Sequence, residues 1–468
     1  MLVLFLFLLS SIYSIPIINK NQTFEQFAII FDAGSKGTRM YIYKYQMEPV
    51  DTFDRIKLKI QDSIEQTFYC ELNDNGLGSY ISVDQIATYF SNCMQKANEL
   101  IPIEKKSQTY ISLLATAGMR LLQIRDKDFA ESLIHHLRLY FAQSEYYFKD
   151  PSQVKLISGQ EEGLLSFLSA NYFDSTLSQS PRGILDIGGA SAQIAFVPQN
   201  FNYNNINVNL NEYIYDVELS NNQNYKIYTH SSLCFGTNQI LNMYNAKTIK
   251  DFNFNSNLLA SCYPEGSSVQ ITGDEILDNP CVNGLIFDQN QDFTIDKNRI
   301  QKDQVFTING NSKKNKCREE IDRLIPQPEC PFGSNQCSFN GVYMPTISSE
   351  SQFYALGNYF EAFDLTSKLL NVDLNNNLQA FNESTYLICS MSYTKLKKIN
   401  KENNADIGKK RLAKLCLENS YILRLFELYG IKDLKNVDAV EYVNGKKVGW
   451  ILGYLINELE KNDGFLIN

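Results

Sequence analysis

Histidine is nearly absent from this chain: His135, His136 and His230 are the only three in 468 residues. The adjacent pair faces different sides of a helix and cannot serve one metal through an HxxxH step, so zinc-hydrolase and phosphohistidine chemistry have little material. One cysteine, Cys317, is followed six residues later by arginine, but the five residues between, Arg-Glu-Glu-Ile-Asp, hold no glycine and two glutamates and cannot cradle a phosphate, which argues against a cysteine-based phosphatase. There is no GxxxxGKS or GxxxxGKT loop and no GxSxG elbow, which argues against a P-loop enzyme or an α/β-hydrolase. No cysteine pair has CxxC spacing, so zinc ribbons and dithiol redox motifs drop out. Lysine and arginine form no block long enough to track a nucleic-acid backbone, and the formal charge is −9. Nucleic acid is therefore not an expected partner. Beyond the extreme N-terminus no apolar run approaches the ~20 residues of a membrane span.

What remains is an ordinary globular composition, 44% hydrophobic and 20% charged, over a length that favours two domains. The first fourteen residues, MLVLFLFLLSSIYS, read as a signal-peptide core lacking a positive leader, the alternative being an N-terminal anchor. Ten cysteines behind such a leader suggest five disulfides. The sequons at Asn21 and Asn382 also fit a secretory route, with a secreted or lumenal destination and no stable span after cleavage.

The chemistry concentrates in a repeated device. Phe27 to Tyr45 reads as strand, glycine turn and strand, with Asp32 closing the first strand and Gly34, Ser35, Lys36, Gly37 and Thr38 in the turn. Ile184 to Gln199 repeats it, with Asp186 followed by Gly188, Gly189, Ala190, Ser191 and Gln193. Small turn residues expose backbone N–H groups that can hold a phosphate. One such turn alone is an ordinary hairpin; two make a clamp for a polyphosphate. Asp32 and Asp186 could face one divalent cation, Ca²⁺ or Mg²⁺, since phosphate-bound ions keep waters and need only one or two carboxylates. Ser158 to Glu161 has capping-box spacing, which gives Glu161 a structural task and leaves Glu162 beside Gly163 as a candidate general base. Glu162 can equally be a helix-terminal glutamate favoured by the dipole. Thr116, in the small-residue turn Thr-Ala-Gly after a short strand, is a candidate hydrogen-bond partner for phosphate or water.

Around these motifs, residues 83–100 and 127–142 have helical spacing, 405–429 is the clearest helix, and 442–456 reads as strand, Asn-Gly turn and helix. Residues 200–224 read as an irregular asparagine-rich insertion, and 234–337 as a loop-rich, disulfide-tied region. Alternating strands and helices imply an α/β fold.

In order along the chain, DAGSKGTR, ATAGMR, SGQEEG, LDIGGASAQIAF and GWILGYLIN resemble the five conserved regions of the apyrases, the nucleoside triphosphate diphosphohydrolases. The resemblance spans roughly residues 27–460. It implies two RNase H-like, actin-like lobes with the active site in the cleft between them. Lobe I would comprise 27–157 plus 440–468, and lobe II 158–439. It also implies Ca²⁺- or Mg²⁺-dependent removal of terminal phosphates from nucleoside di- and triphosphates. By motif position Glu162 matches the base, Thr116 the residue near the attacking water, and Asp32 and Asp186 the carboxylates that hold the metal through water. Ser35, Lys36, Gly37, Thr38, Gly188, Gly189, Ala190, Ser191 and Gln193 match the phosphate loops. Trp450 matches the fifth motif, or packs the last helix. Tyr421, with a second ring at Tyr359 or Phe360, matches the aromatic pair around the base. The cysteine spacing is similar to the ecto-type branch, which implies Cys70–Cys93, Cys234–Cys281, Cys262–Cys317, Cys330–Cys337 and Cys389–Cys416. Lys36 stands where the family usually has serine or threonine, either facing solvent or altering phosphate binding. An exopolyphosphatase-type enzyme and a non-catalytic nucleotide-binding protein are the competing readings.

Overall fold

A computed structural model describes residues 23–461 apart from 50–55, 59–62, 73–75, 78–81, 174–180, 200–208, 219–223, 290, 327–328, 333–335, 375–376 and 432–435. The leader expected at 1–14 and Asn21 lie outside the described residues. Asn382 is exposed.

The first lobe is built on β1 (Phe24–Ala33), β2 (Thr38–Pro49), β3 (Ile56–Leu58), β4 (Glu65–Leu72), β5 (Tyr110–Ala115) and β6 (Val154–Leu156). The sheet order is β3-β2-β1-β5-β6, with β4 also on β2. β1 is central, and every residue from Gln26 to Ala33 is buried, as expected of a strand paired on both edges and covered on both faces. One face carries α1 (Ile86–Leu100), α2 (Ala117–Arg125) and α3 (Lys127–Ala142). There Phe31 meets Phe90 and Phe141 with ring centroids 5.1 and 5.4 Å apart.

α4 (Gly159–Tyr172) leads into the second sheet. This contains β7 (Gly183–Ile187), β8 (Ser191–Phe196), β9 (Ile214–Glu218), β10 (Asn224–Leu233), β14 (Phe353–Gly357) and β15 (Val437–Ala439), in the order β15-β14-β7-β8-β10-β9. The two sheets follow one plan. β1 pairs antiparallel with β2 and parallel with β5; β7 pairs antiparallel with β8 and parallel with β14. This is the duplicated, two-lobed actin-like fold.

One expectation needs correction and another a qualification. Within 200–224, β9 forms and pairs with β10; its neighbours on that strand, not its own composition, supply the pairing. Residues 234–337 keep long irregular stretches, as expected, but regular elements also form there. These are α5 (Thr237–Asp251), a separate sheet of β11 (Asn257–Ala260), β12 (Ser268–Thr272) and β13 (Val305–Gly310), and α6 (Lys314–Leu324). The strands are short, so their alternation is faint, and Cys234–Cys281 and Cys262–Cys317 tie the unit together. Cys70–Cys93, Cys330–Cys337 and Cys389–Cys416 are the other three disulfides. These five pairs are the ones the family resemblance implies.

The second lobe continues with α7 (Asn358–Leu370), α8 (Leu378–Cys389), α9 (Tyr393–Glu402) and α10 (Lys409–Leu428). After a small hairpin of β16 (Tyr442–Val443) and β17 (Lys446–Lys447), α11 (Trp450–Lys461) returns to the first lobe. It packs with α4 and the open face of β1 in one cluster containing Ala28, Ile30, Leu165, Trp450 and Tyr454. The approach is close enough that a Cβ on Gly453 would lie 1.9 Å from the Leu165 carbonyl. α4 and α11 thus form the spine between the sheets, and no described helix is long and apolar enough to cross a membrane.

Candidate active site

The repeated hairpins place their acids at equivalent positions. Asp32 sits opposite Arg39 in the β1–β2 register, and Asp186 opposite Gln193 in β7–β8. Both aspartates line one cavity of about 530 Å³ with Ser35, Lys36, Thr116, Glu162, Gly188, Gly189, Ala190, Ser191 and Trp450. The two turns touch across it: a Cβ on Gly189 would fall 2.6 Å from Ser35 Oγ and 3.0 Å from Lys36 Cγ. Only glycine permits that approach.

Each carboxylate has a distinct setting. Asp32 receives Arg39 Nη1 at 3.5 Å on Oδ2, while buried Oδ1 has no partner among the described residues. Burial raises its pKa to about 6 against the pull of Arg39, and the neighbouring Asp186 charge adds to the rise. Asp186 Oδ2 accepts from Ser166 Oγ at 2.8 Å, and burial raises its pKa too. Beside it, Gly357 has φ +61°, and a Cβ there would lie 2.8 Å from Asp186 Oδ1. A buried carboxylate with an orphaned oxygen, Asp32, beside a half-buried one, Asp186, suits a hard divalent cation.

Glu162 lies in the first turn of α4, whose N-terminus is capped by Ser158 Oγ accepting from the Glu161 N–H at 3.0 Å. The reciprocal half of the capping box is missing: Glu161 Oε1 takes Lys155 Nζ at 2.8 Å instead. Glu162 Oε2 accepts from Arg120 Nη2 at 2.7 Å and Gln193 Nε2 at 3.2 Å. Oε1 has no protein donor among the described residues. Burial pushes the Glu162 pKa up to about 7, with Arg120 opposing and the two aspartates assisting. A carboxylate tuned near neutrality suits a general base.

Gly37, Thr38 and Gln193 do not reach the cavity wall. Thr38 is fully buried, next to Tyr89. Gln193 lies behind Ser191 and donates to its Oγ at 2.7 Å and to Glu162 Oε2 at 3.2 Å, so it positions Glu162 and the loop. The two tyrosines need correction as base-stacking rings. Tyr421 and Tyr359 are both fully buried in the second-lobe core, Tyr421 with its hydroxyl donating to the Phe235 carbonyl and Tyr359 against Phe426. A side chain locked on all sides offers no open ring face. Phe360, the neighbouring alternative, does line the cavity. Trp450 packs in the α11 cluster, the alternative given for it, and also lines the cleft.

Arg120, Ser166 and Asn358 belong to the site without having been singled out from sequence. Arg120 and Ser166 had a legible signal, since each lies four residues on from Thr116 and Glu162 along a helix.

A family profile described as the GDA1/CD39 (nucleoside phosphatase) family matches residues 18–464. The chain belongs to the GDA1/CD39 family. Among its relatives, ectonucleoside triphosphate diphosphohydrolase 1 of Mus musculus is 29% identical over 451 residues, covering 92% of this chain and 80% of the mouse protein. Ectonucleoside triphosphate diphosphohydrolase 3 of Homo sapiens is 28% identical over 456 residues, covering 92% and 78%. A solved nucleoside triphosphate hydrolase from Neospora caninum superposes with a TM-score of 0.67 at 16% identity, covering 94% of each chain. That structural likeness supports the fold, and the cavity described above is the place where this GDA1/CD39 member gathers its paired aspartates and buried glutamate.

Proposed function

We propose that this chain is an apyrase, hydrolysing the terminal phosphate of nucleoside tri- and diphosphates with Ca²⁺ or Mg²⁺. The observation that carries this reading is the meeting of Asp32, Asp186 and Glu162 with both glycine turns in one cavity. Ser35, Gly188, Gly189 and Ser191 present a small-residue wall and two hydroxyls to the phosphate chain, the Gly188 N–H being spent within its own turn on the Ser191 carbonyl at 3.0 Å. Asp32 and Asp186 would hold the cation through its waters, and the bound ion would neutralise phosphate charge. Glu162 Oε1, with Thr116, positions a water in line with the terminal phosphorus. As the water oxygen bonds to phosphorus, its proton passes to Glu162, the bridging P–O bond breaks, and the leaving phosphate keeps the electron pair. No phosphoenzyme forms. Positioning and electrostatics supply most of the acceleration. Five disulfides support a secreted or lumenal setting. The test is Glu162→Gln assayed for phosphate release from ATP and ADP with each cation. A loss of ~10²-fold or more is expected, and near-wild-type turnover would sink the assignment.

A further inference from the structure

Lys36 crosses the cleft from the first turn, and its Nζ donates to Asn358 Oδ1 at 2.8 Å. It therefore does not face open solvent. Its side chain is largely buried, which, with Arg411 nearby, lowers its pKa. Yet it has no carboxylate partner among the described residues. The acids that act on it, Glu361 and Glu418, are both paired with Arg411, at 3.0 and 2.7 Å. A buried cation satisfied only by a neutral amide is costly unless an anion joins it.

The acceptor sharpens the point. Asn358 opens α7, whose N-terminus has no side-chain cap and whose first-turn acid, Glu361, is held by Arg411. Unpaired N–H groups and the helix dipole make that end positive. A lysine ammonium and a helix N-terminus repel each other, and the partner that favours both is an anion. Asn358 also donates from Nδ2 to the Ile187 carbonyl at 2.8 Å, just before Gly188 and Gly189. The Lys36–Asn358 hydrogen bond thus joins the two phosphate turns and holds the ammonium at the cleft wall.

Position along the cleft follows from partners. Glu162 is bonded by Arg120 and Gln193, whereas Lys36 is surrounded by Asn358, Glu361, Glu418 and Arg411. Phe360, the one aromatic candidate for the base that lines the cavity, follows Asn358 on α7, so a phosphate chain with its terminal phosphate at Glu162 and its base toward Phe360 carries its inner phosphates on the side of Lys36. We propose that Lys36 and the N-terminal turn of α7 form a subsite for the nucleoside-side phosphates and bias this enzyme toward triphosphates. The proposal rests on the nucleotide-hydrolase reading above. A triphosphate places two phosphates inward of the one removed, and a diphosphate only one.

The test compares kcat/KM for ATP and ADP in wild type, Lys36→Ser and Lys36→Arg. In Lys36→Ser the ATP value should fall about tenfold, the range of one charge-assisted hydrogen bond, with a clearly smaller fall for ADP. Lys36→Arg should restore the ATP/ADP ratio, because it keeps the charge. An equal fall for both substrates, or none, overturns the proposal, and so does a ratio that Lys36→Arg does not restore. The same ratio is read without turnover, as the affinities of non-hydrolysable ATP and ADP analogues for Glu162→Gln with and without Lys36→Ser. Binding without hydrolysis in wild type would defeat the hydrolase reading, while the affinity ratio would still decide the subsite. A protein that binds neither analogue defeats both.

Discussion

Asp32→Asn should make the protein more stable and inactive. Burial raises the Asp32 pKa from 3.8 to about 6. That difference of about 2 units corresponds to about 3 kcal/mol of destabilisation from holding the charge in the fold when no cation is bound. The folded carboxyl binds its proton more tightly than the unfolded one. The penalty is therefore absent below the unfolded pKa, grows as pH rises from 3.8, and is complete above about 6. Asparagine has the same shape and no charge. The ion pair with Arg39, 3.5 Å long, is already contained in that net shift, and Arg39 keeps Glu71 at 3.3 Å in the variant. The net gain should be about 1–3 kcal/mol near pH 8 with a chelator present, shrinking to nothing near pH 4. Thermal melts of both proteins across that pH range measure it. Adding Ca²⁺ or Mg²⁺ should raise the wild-type melting temperature and leave the variant nearly unmoved, since a ligand stabilises only the state that binds it. A variant less stable than wild type near pH 8 in chelator would refute the reasoning, because Asp32 would then be contributing stability through Arg39 and not storing charge for a cation.

Other perturbations separate the roles of neighbouring residues. Arg120→Met removes the cation that holds the Glu162 pKa down. The acidic limb of the pH–rate profile should move to higher pH, with activity near pH 7 falling about tenfold and partly recovering in alkali; a uniform loss at every pH would show that Arg120 only packs. Gly357→Ala forces a side chain into φ +61° and against Asp186 Oδ1. It should cost ~1–3 kcal/mol and lower kcat, both readable from a melt and a phosphate assay. Tyr421→Phe deletes the hydroxyl bonded to the Phe235 carbonyl and should cost about 1 kcal/mol with KM for nucleotides unchanged. A raised KM at unchanged stability would put the ring against the base.

The paired hairpins were legible because a short-range pattern determines them. Asp, Gly two residues on, and a long polar residue at the seventh position become cross-strand partners, Asp32 with Arg39 and Asp186 with Gln193. The helix at 127–142 was legible for a similar reason, since Leu133, Leu137 and Phe141 recur at helical spacing and are buried. The region 234–337 was not. Its strands of four to six residues are too short to show alternation, and their pairing depends on a partner far along the chain. Tyr421 and Tyr359 were misplaced because a motif gives a residue's position in a helix but not the depth at which the helix is buried.

By itself the sequence determined the kind of chemistry. With almost no histidine and no cysteine or lysine motif, only carboxylates and glycine turns were left to act on phosphate, and their order identified the family. Tertiary structure decided what each group can do. Glu162 resembles any helix-terminal glutamate until burial and two aspartates raise its pKa toward neutrality. Asp32 offers a cation a free ligand atom because the fold leaves its buried Oδ1 unpaired among the described residues. Lys36 becomes a cleft residue because Asn358, from a distant strand–helix junction, meets it across the lobes. Short-range patterns fix local conformation, whereas desolvation and charge pairing depend on which distant segments exclude water, and that is settled only when the two lobes close on one another.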